Sequence, residues 1–176
     1  GSIWRAPPEM GSGSSAPCSL SMGFGWLLRQ VLMVNCAPTK AGTPAPDFVF
    51  QDPDGGDVTL KDFAGTPMLV NLWATWCPPC RRELPMLAEE AANSDIPILL
   101  ANQGEDRQAV ADYLLASGIS PRSVVLDKQM GLMDVAGNGV LPTTIFVDAE
   151  GEIVATHVGE ISRAALSDKL QQLQGD

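Results

Sequence analysis

The chain has 176 residues, which is enough for one well-buried core and too few for two ordinary domains with linkers. Hydrophobic residues make up 45% of it and charged residues 18%, a balance typical of a globular protein rather than a disordered one. The formal charge of -10 excludes a nucleic-acid partner, because a phosphate backbone would repel the protein.

Residues 1–43 differ in composition from the rest and are predicted to be an appendage. They open with Gly-Ser, as residues left by cloning often do, and continue as a linker rich in Gly, Ser and Pro. The apolar run at 24–34 is interrupted by Arg29 and Gln30 and is shorter than the roughly 20 apolar residues of a spanning helix. It is similar to the apolar part of an export signal or anchor, and the alternative is a short amphipathic helix packed on the domain.

Residues 44–176 are predicted to form one domain that begins with a hairpin. The segments FVF and VTL are typical of short strands, and the Asp-Gly and Gly-Gly pairs between them supply the positive backbone angles of a tight turn. A single helical turn is expected at LKDFAG. The run PMLVNLWAT is almost wholly apolar, which predicts a central strand buried on both faces.

Helices and strands alternate through the middle of the chain. A helix is predicted from the first cysteine of CPPC, with Cys80, Leu84 and Leu87 on one buried stripe and a kink at Pro85. A strand at IPILLAN, a helix at EDRQAVADYLLASG, a strand at SVVLD and a short helix or turn at KQMGLMDVAG follow. The chain closes with a hairpin, TTIFVD and EIVATHVG, and a helix over about 162–174. This order predicts an α/β fold with a mixed sheet and helices on both faces.

Four cysteines and a single histidine limit the metal sites that this chain could build. A four-ligand zinc site needs a second close pair of cysteines, and the two upstream cysteines lack the C-x2-C spacing. The sequence therefore predicts no structural zinc. Cys18 and Cys36 could form a disulfide with each other, form disulfides between two chains or remain free thiols, and these alternatives stay open. The residues concerned are Cys18, Cys36, Cys77, Cys80 and His157.

The Cys-Pro-Pro-Cys motif falls where the predicted buried strand is followed by a helix. Cys77 is placed at the helix N-terminus, where free backbone N–H groups and the helix dipole favour thiolate over thiol. Cys80 lies one turn inside, so we expect Cys77 to attack a disulfide and Cys80 to resolve the mixed disulfide. Pro78 and Pro79 have no N–H to donate, which leaves the thiolate less stabilised and favours a reductant. A static disulfide or half a metal site are the alternatives, and the position of the motif favours redox chemistry over both.

At NLWATWCPPCRREL the chain resembles the thioredoxin superfamily, and within it the extracytoplasmic TlpA/ResA-like thiol-disulfide oxidoreductases. The resemblance covers about 44–173 and includes ANQGED and GVLPTTIFVDAEGEIV in the family's order. It implies a thioredoxin fold, in which helices flank both faces of a mixed central sheet, with an added N-terminal β-hairpin. It also implies a protein-disulfide reductase whose Cys77–Cys80 pair is the redox group, with no diffusible cofactor and no metal.

The resemblance assigns a substrate-binding surface by motif. Pro142 in VLPTT corresponds to the family's cis-proline, which presents backbone to an incoming substrate chain, and an ordinary trans proline is the alternative. Trp76 flanks the first cysteine, where it could cover the sulfur or simply pack. We expect Trp76, Pro78, Leu141 and Pro142 to bind substrate.

Glu83 corresponds to an acidic residue that lies near the active site in ResA-like members. Its i+3 position from Cys80 borders the buried stripe, where desolvation would raise its pKa enough to exchange a proton with the dithiol. The alternative is a solvated surface glutamate paired with a basic neighbour. Ordinary thioredoxins carry a buried aspartate where this chain has Asn71, so an assisting carboxylate must be Glu83 or Glu105. Glu105 is expected instead to begin the next helix, where an acidic residue suits the dipole.

We therefore expect a periplasmic or otherwise extracytoplasmic monomer that exchanges its dithiol with the disulfides of client proteins. A membrane thiol carrier is the expected electron donor, and the N-terminal segment could tether the enzyme to the membrane. Similar proteins serve cytochrome c maturation, copper-site assembly or reductase repair, and no residue here selects one of these.

The main rival is a Cu(I) chaperone that binds metal through the two cysteines together with Met130 or Cys36. A peroxidatic enzyme is a weaker rival, because such enzymes surround one reactive cysteine with a different motif. A surface or packing role is expected for His157, and core packing for Met130 and Met133.

Overall fold

The computed structural model describes residues 43–45, 49–52 and 54–175. The predicted appendage therefore lies outside the described residues except for Thr43, and so do Cys18, Cys36 and the apolar run at 24–34. Residues 41–176 belong to one compact unit. None of the helices in the described part of the chain combines the length and the apolar character needed to cross a bilayer.

The described residues form one mixed sheet of eight strands in the order β1-β8-β7-β4-β5-β6-β2-β3. Strands β4, β5 and β6 run parallel, and the remaining neighbours pair antiparallel. The strands are β1 Thr43–Pro44, β2 Val49–Gln51, β3 Asp57–Thr59, β4 Met68–Trp73, β5 Ile98–Gln103, β6 Val124–Asp127, β7 Thr143–Val147 and β8 Glu152–Val158. The predicted mixed sheet is confirmed.

Strand β4 lies between β7 and β5, and all six of its residues are buried. Its side chains alternate between two hydrophobic clusters, with Leu69 and Trp73 on one face and Val70 and Leu72 on the other. A strand covered on both faces is apolar at nearly every position, here all but Asn71, which is why PMLVNLWAT predicted the central strand correctly.

Helices cover both faces of the sheet, as predicted. They are α1 Pro78–Asn93, α2 Arg107–Ser117, α3 Gly131–Ala136 and α4 Arg163–Gly175, with single 3-10 turns at Leu60–Phe63 and Pro121–Ser123. The first two follow successive parallel strands that step across the sheet in one direction, so right-handed crossovers place both on the same face. Helices α1, α2 and α4 pack on that face, and α3 with the first 3-10 turn packs on the other.

The start of α2 differs from the prediction. The helix begins at Arg107 with Asp106 as its N-cap, so Glu105 lies before the helix and does not begin it. Its carboxylate is hydrogen-bonded to another part of the chain, as described below. The predicted end of α2 is confirmed, because Gly118 takes the left-handed conformation that closes a helix.

Candidate active site

The two cysteines of CPPC lie at the junction of β4 and α1. Cys77 is the N-cap of α1, and Pro78 and Pro79 are its first two residues. Since neither proline has an N–H, the first helical amide that reaches the sulfur is that of Cys80, which donates to Cys77 Sγ at 3.3 Å. The helix therefore offers the Cys77 sulfur fewer donors than a start without prolines would.

Cys77 and Cys80 form a disulfide in this structure. Cys80 is fully buried, Cys77 is 3% exposed, and the adjacent Trp76 is 68% exposed. A partner sulfur can therefore approach from the Cys77 side only. The exposure of Trp76 also rules out the alternative that it simply packs in the interior.

Glu83 lies one turn after Cys80 on the buried face of α1 and is only 3% exposed. The amide of Asn71 donates to its Oε1 at 2.8 Å, and the backbone N–H of Ile161 donates to its Oε2 at 2.7 Å. The alternative of a solvated surface glutamate is therefore wrong. The neighbouring base, Arg82, pairs with Glu160 instead.

The groups around Glu83 have opposing effects on the pKa of its carboxyl. Burial, the largest cause, raises the pKa of Glu83, and the nearby charge of Glu160 adds to this rise. The hydrogen bonds from Ile161 and Asn71 lower it, as does His157. The net result is a pKa of Glu83 above the ordinary value.

Asn71 lies under Glu83 in the middle of the sheet. Its amide also donates to Thr144 Oγ1 at 3.0 Å, while its own Oδ1 is buried without a hydrogen-bond partner. Asn71 pairs with Thr144 across β4 and β7, and Thr144 pairs with His157 across β7 and β8. Paired residues of adjacent strands share a face, so these three side chains form a polar row on the side of the sheet that carries α1.

The peptide bond between Leu141 and Pro142 is cis, the geometry that the resemblance implied. Leu141 is half-buried and packs against the hydrophobic cluster that contains both cysteines. The carbonyl oxygen of Pro142 accepts from Gly159 N at 2.9 Å, which ties this segment to the end of β8.

Glu105, which was predicted to begin α2, instead binds the loop that precedes the Cys-Pro-Pro-Cys motif. Glu105 accepts from Thr75 N at 2.7 Å and from Thr75 Oγ1 at 2.5 Å, and the amide of Asn102 also donates to it at 2.7 Å. The loop that delivers Cys77 is thus held to the end of β5. Local sequence patterns could not reveal this contact, because Thr75 and Glu105 are 30 positions apart.

The remaining predicted residues fall outside this cluster or at its rim. His157 is half-buried, with its Nε2 3.3 Å from Glu160 O. Met133 packs against the core as expected, but Met130 does not, since it is 47% exposed with a positive φ of 55°. Within the described residues no group of three or more His, Cys, Asp and Glu side chains is placed to hold a metal ion. The Cu(I) chaperone is not favoured, because the similar proteins described next are thiol-disulfide oxidoreductases.

Comparison with known proteins gives consistent matches over most of the chain. The family model described as Redoxin matches residues 40–173. The thiol-disulfide oxidoreductase ResA of Geobacillus thermodenitrificans is 31% identical over 158 residues, which is 88% of this chain and 90% of that protein.

Two solved structures show the same architecture. One is a thiol:disulfide interchange protein of the thioredoxin family from Chlorobium tepidum, with 27% identity, a TM-score of 0.63 and coverage of 76% of this chain and 97% of that one. The other is the pneumococcal exposed lipoprotein thioredoxin Etrx1 from Streptococcus pneumoniae, with 27% identity, a TM-score of 0.62 and coverage of 73% and 100%. The fold is therefore the thioredoxin fold.

Proposed function

This chain belongs to the Redoxin family and is a thiol-disulfide oxidoreductase, and we propose that it reduces the disulfides of client proteins outside the cytoplasm. The observation that carries the proposal is the disulfide at the start of α1 with the buried Glu83 carboxyl on the next turn of the same helix. An inert structural disulfide would need neither an N-cap position nor a carboxyl of raised pKa beside it.

The proposed reaction transfers two electrons from the enzyme to the client disulfide. In the reduced enzyme the Cys77 thiolate attacks one sulfur of a client disulfide, which forms a mixed disulfide and releases the other client sulfur as a thiolate. Cys80 then loses its proton and attacks the Cys77 sulfur, which forms the enzyme disulfide and releases the second client thiolate. The two client thiolates take up two protons from water to end as thiols, and the enzyme ends oxidised.

Glu83 is the proposed acceptor for the proton of Cys80. Cys80 is fully buried, so its thiol has no direct access to water, and Glu83 lies on the same buried face of α1. The raised pKa of Glu83 brings it closer to that of a thiol, which makes proton transfer between them easier. When the enzyme is reduced again, the same carboxyl returns the proton to Cys80.

The prolines of the motif support the direction of electron flow. A dithiol protein is a strong oxidant when many donors stabilise its thiolate, because the reduced form is then favoured. Here the donor to Cys77 Sγ comes from Cys80, since Pro78 and Pro79 cannot donate. We infer a less stabilised thiolate and hence a reducing enzyme.

The client is proposed to dock beside Cys77. Trp76 supplies an exposed aromatic surface next to the sulfur, and Pro78, Leu141 and Pro142 are proposed to complete the binding surface. Aromatic side chains contribute large contact areas at little entropic cost, which suits an enzyme that binds its clients briefly.

The proposed setting is extracytoplasmic, with the enzyme acting as a monomer. One solved relative is described as an exposed lipoprotein, and the apolar run at 24–34 is similar to an export signal or anchor. The oxidised enzyme is proposed to receive electrons from a membrane thiol carrier. The cysteine pair is proposed to be its sole redox group, without a diffusible cofactor.

Trapping of mixed disulfides tests the two cysteine roles. Insulin is the probe, and the variants are made in a background that lacks Cys18 and Cys36, so that only the motif cysteines can react. Reduced Cys80→Ser should accumulate a covalent enzyme–insulin complex on a non-reducing gel, because Cys77 attacks and nothing resolves the product. Cys77→Ser should give no complex, because the remaining sulfur is buried. Complexes with both variants, or with neither, would reject the assigned roles.

A further inference from the structure

One peptide group links the two titratable side chains at this end of the site. The N–H of Ile161 donates to Glu83 Oε2 at 2.7 Å, and the carbonyl oxygen of the same peptide, Glu160 O, lies 3.3 Å from His157 Nε2. A carbonyl oxygen only accepts, so the second contact is a hydrogen bond, though a long one, when Nε2 carries a proton. His157 and Glu83 thus lie at opposite ends of one hydrogen-bonded chain.

We propose that His157 is a positioning residue for Glu83, acting through the peptide between Glu160 and Ile161. The inference rests on the proton-transfer role proposed above for Glu83. A donor at the carbonyl of a peptide polarises its N–H, and a stronger N–H donor holds an ionised carboxylate more firmly. When the imidazole itself is protonated, its positive charge favours ionised Glu83 as well.

Helix α1 and strand β8 hold this peptide from two sides. Arg82 Nη2 is 2.6 Å from Glu160 Oε2, so the consecutive residues Arg82 and Glu83 bind the consecutive residues Glu160 and Ile161. His157 contacts the carbonyl between them from β8. The side chain of Glu160 and both sides of the peptide that follows it therefore have contacts to α1 or β8.

The charges that face Glu83 come from several elements. His157 of β8 lowers the pKa of Glu83 and Glu160 of the following loop raises it. The sheet beneath contributes the neutral Asn71 and Thr144. Arg82 of α1 is paired with Glu160, and Arg163 of α4 is paired with Glu89 and Glu90 of α1. Among these charged groups, His157 is therefore the one without an ion-pair partner.

The test follows ionisation of Glu83 directly, by carbon-13 NMR of the glutamate side-chain carboxyls in the oxidised protein. The Glu83 signal is identified by its loss in Glu83→Gln. His157→Leu removes both the donor and the charge, whereas His157→Gln keeps a neutral donor for Glu160 O. Thr156→Leu is the matched control, since this exposed residue lies on the opposite face of the same strand. Thermal unfolding of each variant checks that it folds.

We expect Glu83 to ionise at a higher pH in His157→Leu than in the wild type, with a smaller shift in His157→Gln and none in Thr156→Leu. Insulin reduction by His157→Leu should be about two- to fivefold slower at pH values where wild-type Glu83 is partly ionised, the factor expected for a partly exposed charge interaction. The rates should converge at high pH, where the carboxyl is ionised in both proteins.

An unchanged Glu83 titration in His157→Leu would overturn the inference, and if that variant does not fold, an unchanged titration in His157→Gln would do so. Equal shifts in the two variants would show that charge alone acts and would reject the route through the peptide. Failure of the proposed function looks different: Glu83→Gln would reduce insulin with the wild-type pH profile, while the NMR titrations would still report on His157.

Discussion

Glu83 is the residue on which the chemistry of this site depends most after the cysteines. Its carboxylate is removed from water yet receives one donor on each oxygen, from Asn71 and from Ile161. Donors favour the ionised form and burial favours the protonated form, and burial is the larger effect, so the pKa of this carboxyl is raised. Such a group suits a proton acceptor for a buried thiol better than a fully solvated glutamate would.

Replacement of Glu83 by Gln should slow client reduction and change its dependence on pH. The raised pKa means that Glu83 loses its proton at a higher pH than an ordinary glutamate, so the wild-type advantage should grow as pH rises through that value. Above it, Glu83→Gln should be about a hundredfold slower, the lower end of the usual range for general acid–base catalysis. Stopped-flow measurement of insulin reduction between pH 4 and 9 provides the comparison.

The matched control for this experiment is Glu89→Gln, in the same helix but on its exposed side. It should leave the rate within the error of the wild type at every pH. A Glu83→Gln profile that runs parallel to the wild-type profile would show that Glu83 takes no part in proton transfer.

At the scale of elements, α1 and the loops around it form the site. The helix and its N-cap supply the two cysteines and Glu83, and the loop after β8 supplies the main-chain donor for that carboxylate through Ile161. Glu105, at the end of the β5 segment, holds the loop through the two hydrogen bonds from Thr75. The position of Cys77 therefore depends on three separate segments of the chain.

Replacement of Glu105 by Ala should loosen the loop that precedes Cys77. The N–H and hydroxyl of Thr75 and the amide of Asn102 would lose their acceptor, at a cost of about 1–3 kcal/mol in the free energy of unfolding. Urea unfolding followed by tryptophan fluorescence measures this loss. Glu150→Ala, at an exposed turn, should cost far less, and equal losses in the two variants would remove the proposed structural role of Glu105.

The elements could be predicted from sequence because their signals are local. The apolar run of β4, the stripe of α1 and the glycine after α2 each express burial or backbone geometry within a few residues. The same holds for the motif residues Cys77 and Cys80. The placement of Glu105 was wrong because its contact with Thr75 depends on how two strands meet, and helix-dipole preference was the weaker effect.

Contacts between distant segments could not be predicted in this way. The backbone N–H of Ile161 donates to Glu83, which is 78 residues earlier in the chain. Because every residue except proline has this N–H, the identity of residue 161 does not predict the contact. The link from His157 to the same peptide likewise exists only after β8 and the following loop have packed on α1. The motif thus predicted the reacting cysteines, whereas the groups that affect the pKa of Glu83 could be identified only from the structure.

At the scale of the whole molecule, one thioredoxin fold brings a cysteine pair, a buried carboxyl and a cis-proline segment to the same end of a mixed sheet. The excess of acidic residues, with a formal charge of -10, favours clients that present a basic surface. We expect this enzyme to release electrons to its clients rather than accept electrons from them.

The reduction potential of the Cys77–Cys80 pair tests that claim most directly. The protein is equilibrated in glutathione or dithiothreitol buffers, and its redox state is read from tryptophan fluorescence, with Trp76 next to the disulfide as the expected reporter. We predict a value nearer the roughly -270 mV of thioredoxin than the roughly -120 mV of a strong dithiol oxidant. A value near the oxidising end would contradict the account and make this an enzyme that introduces disulfides into its clients.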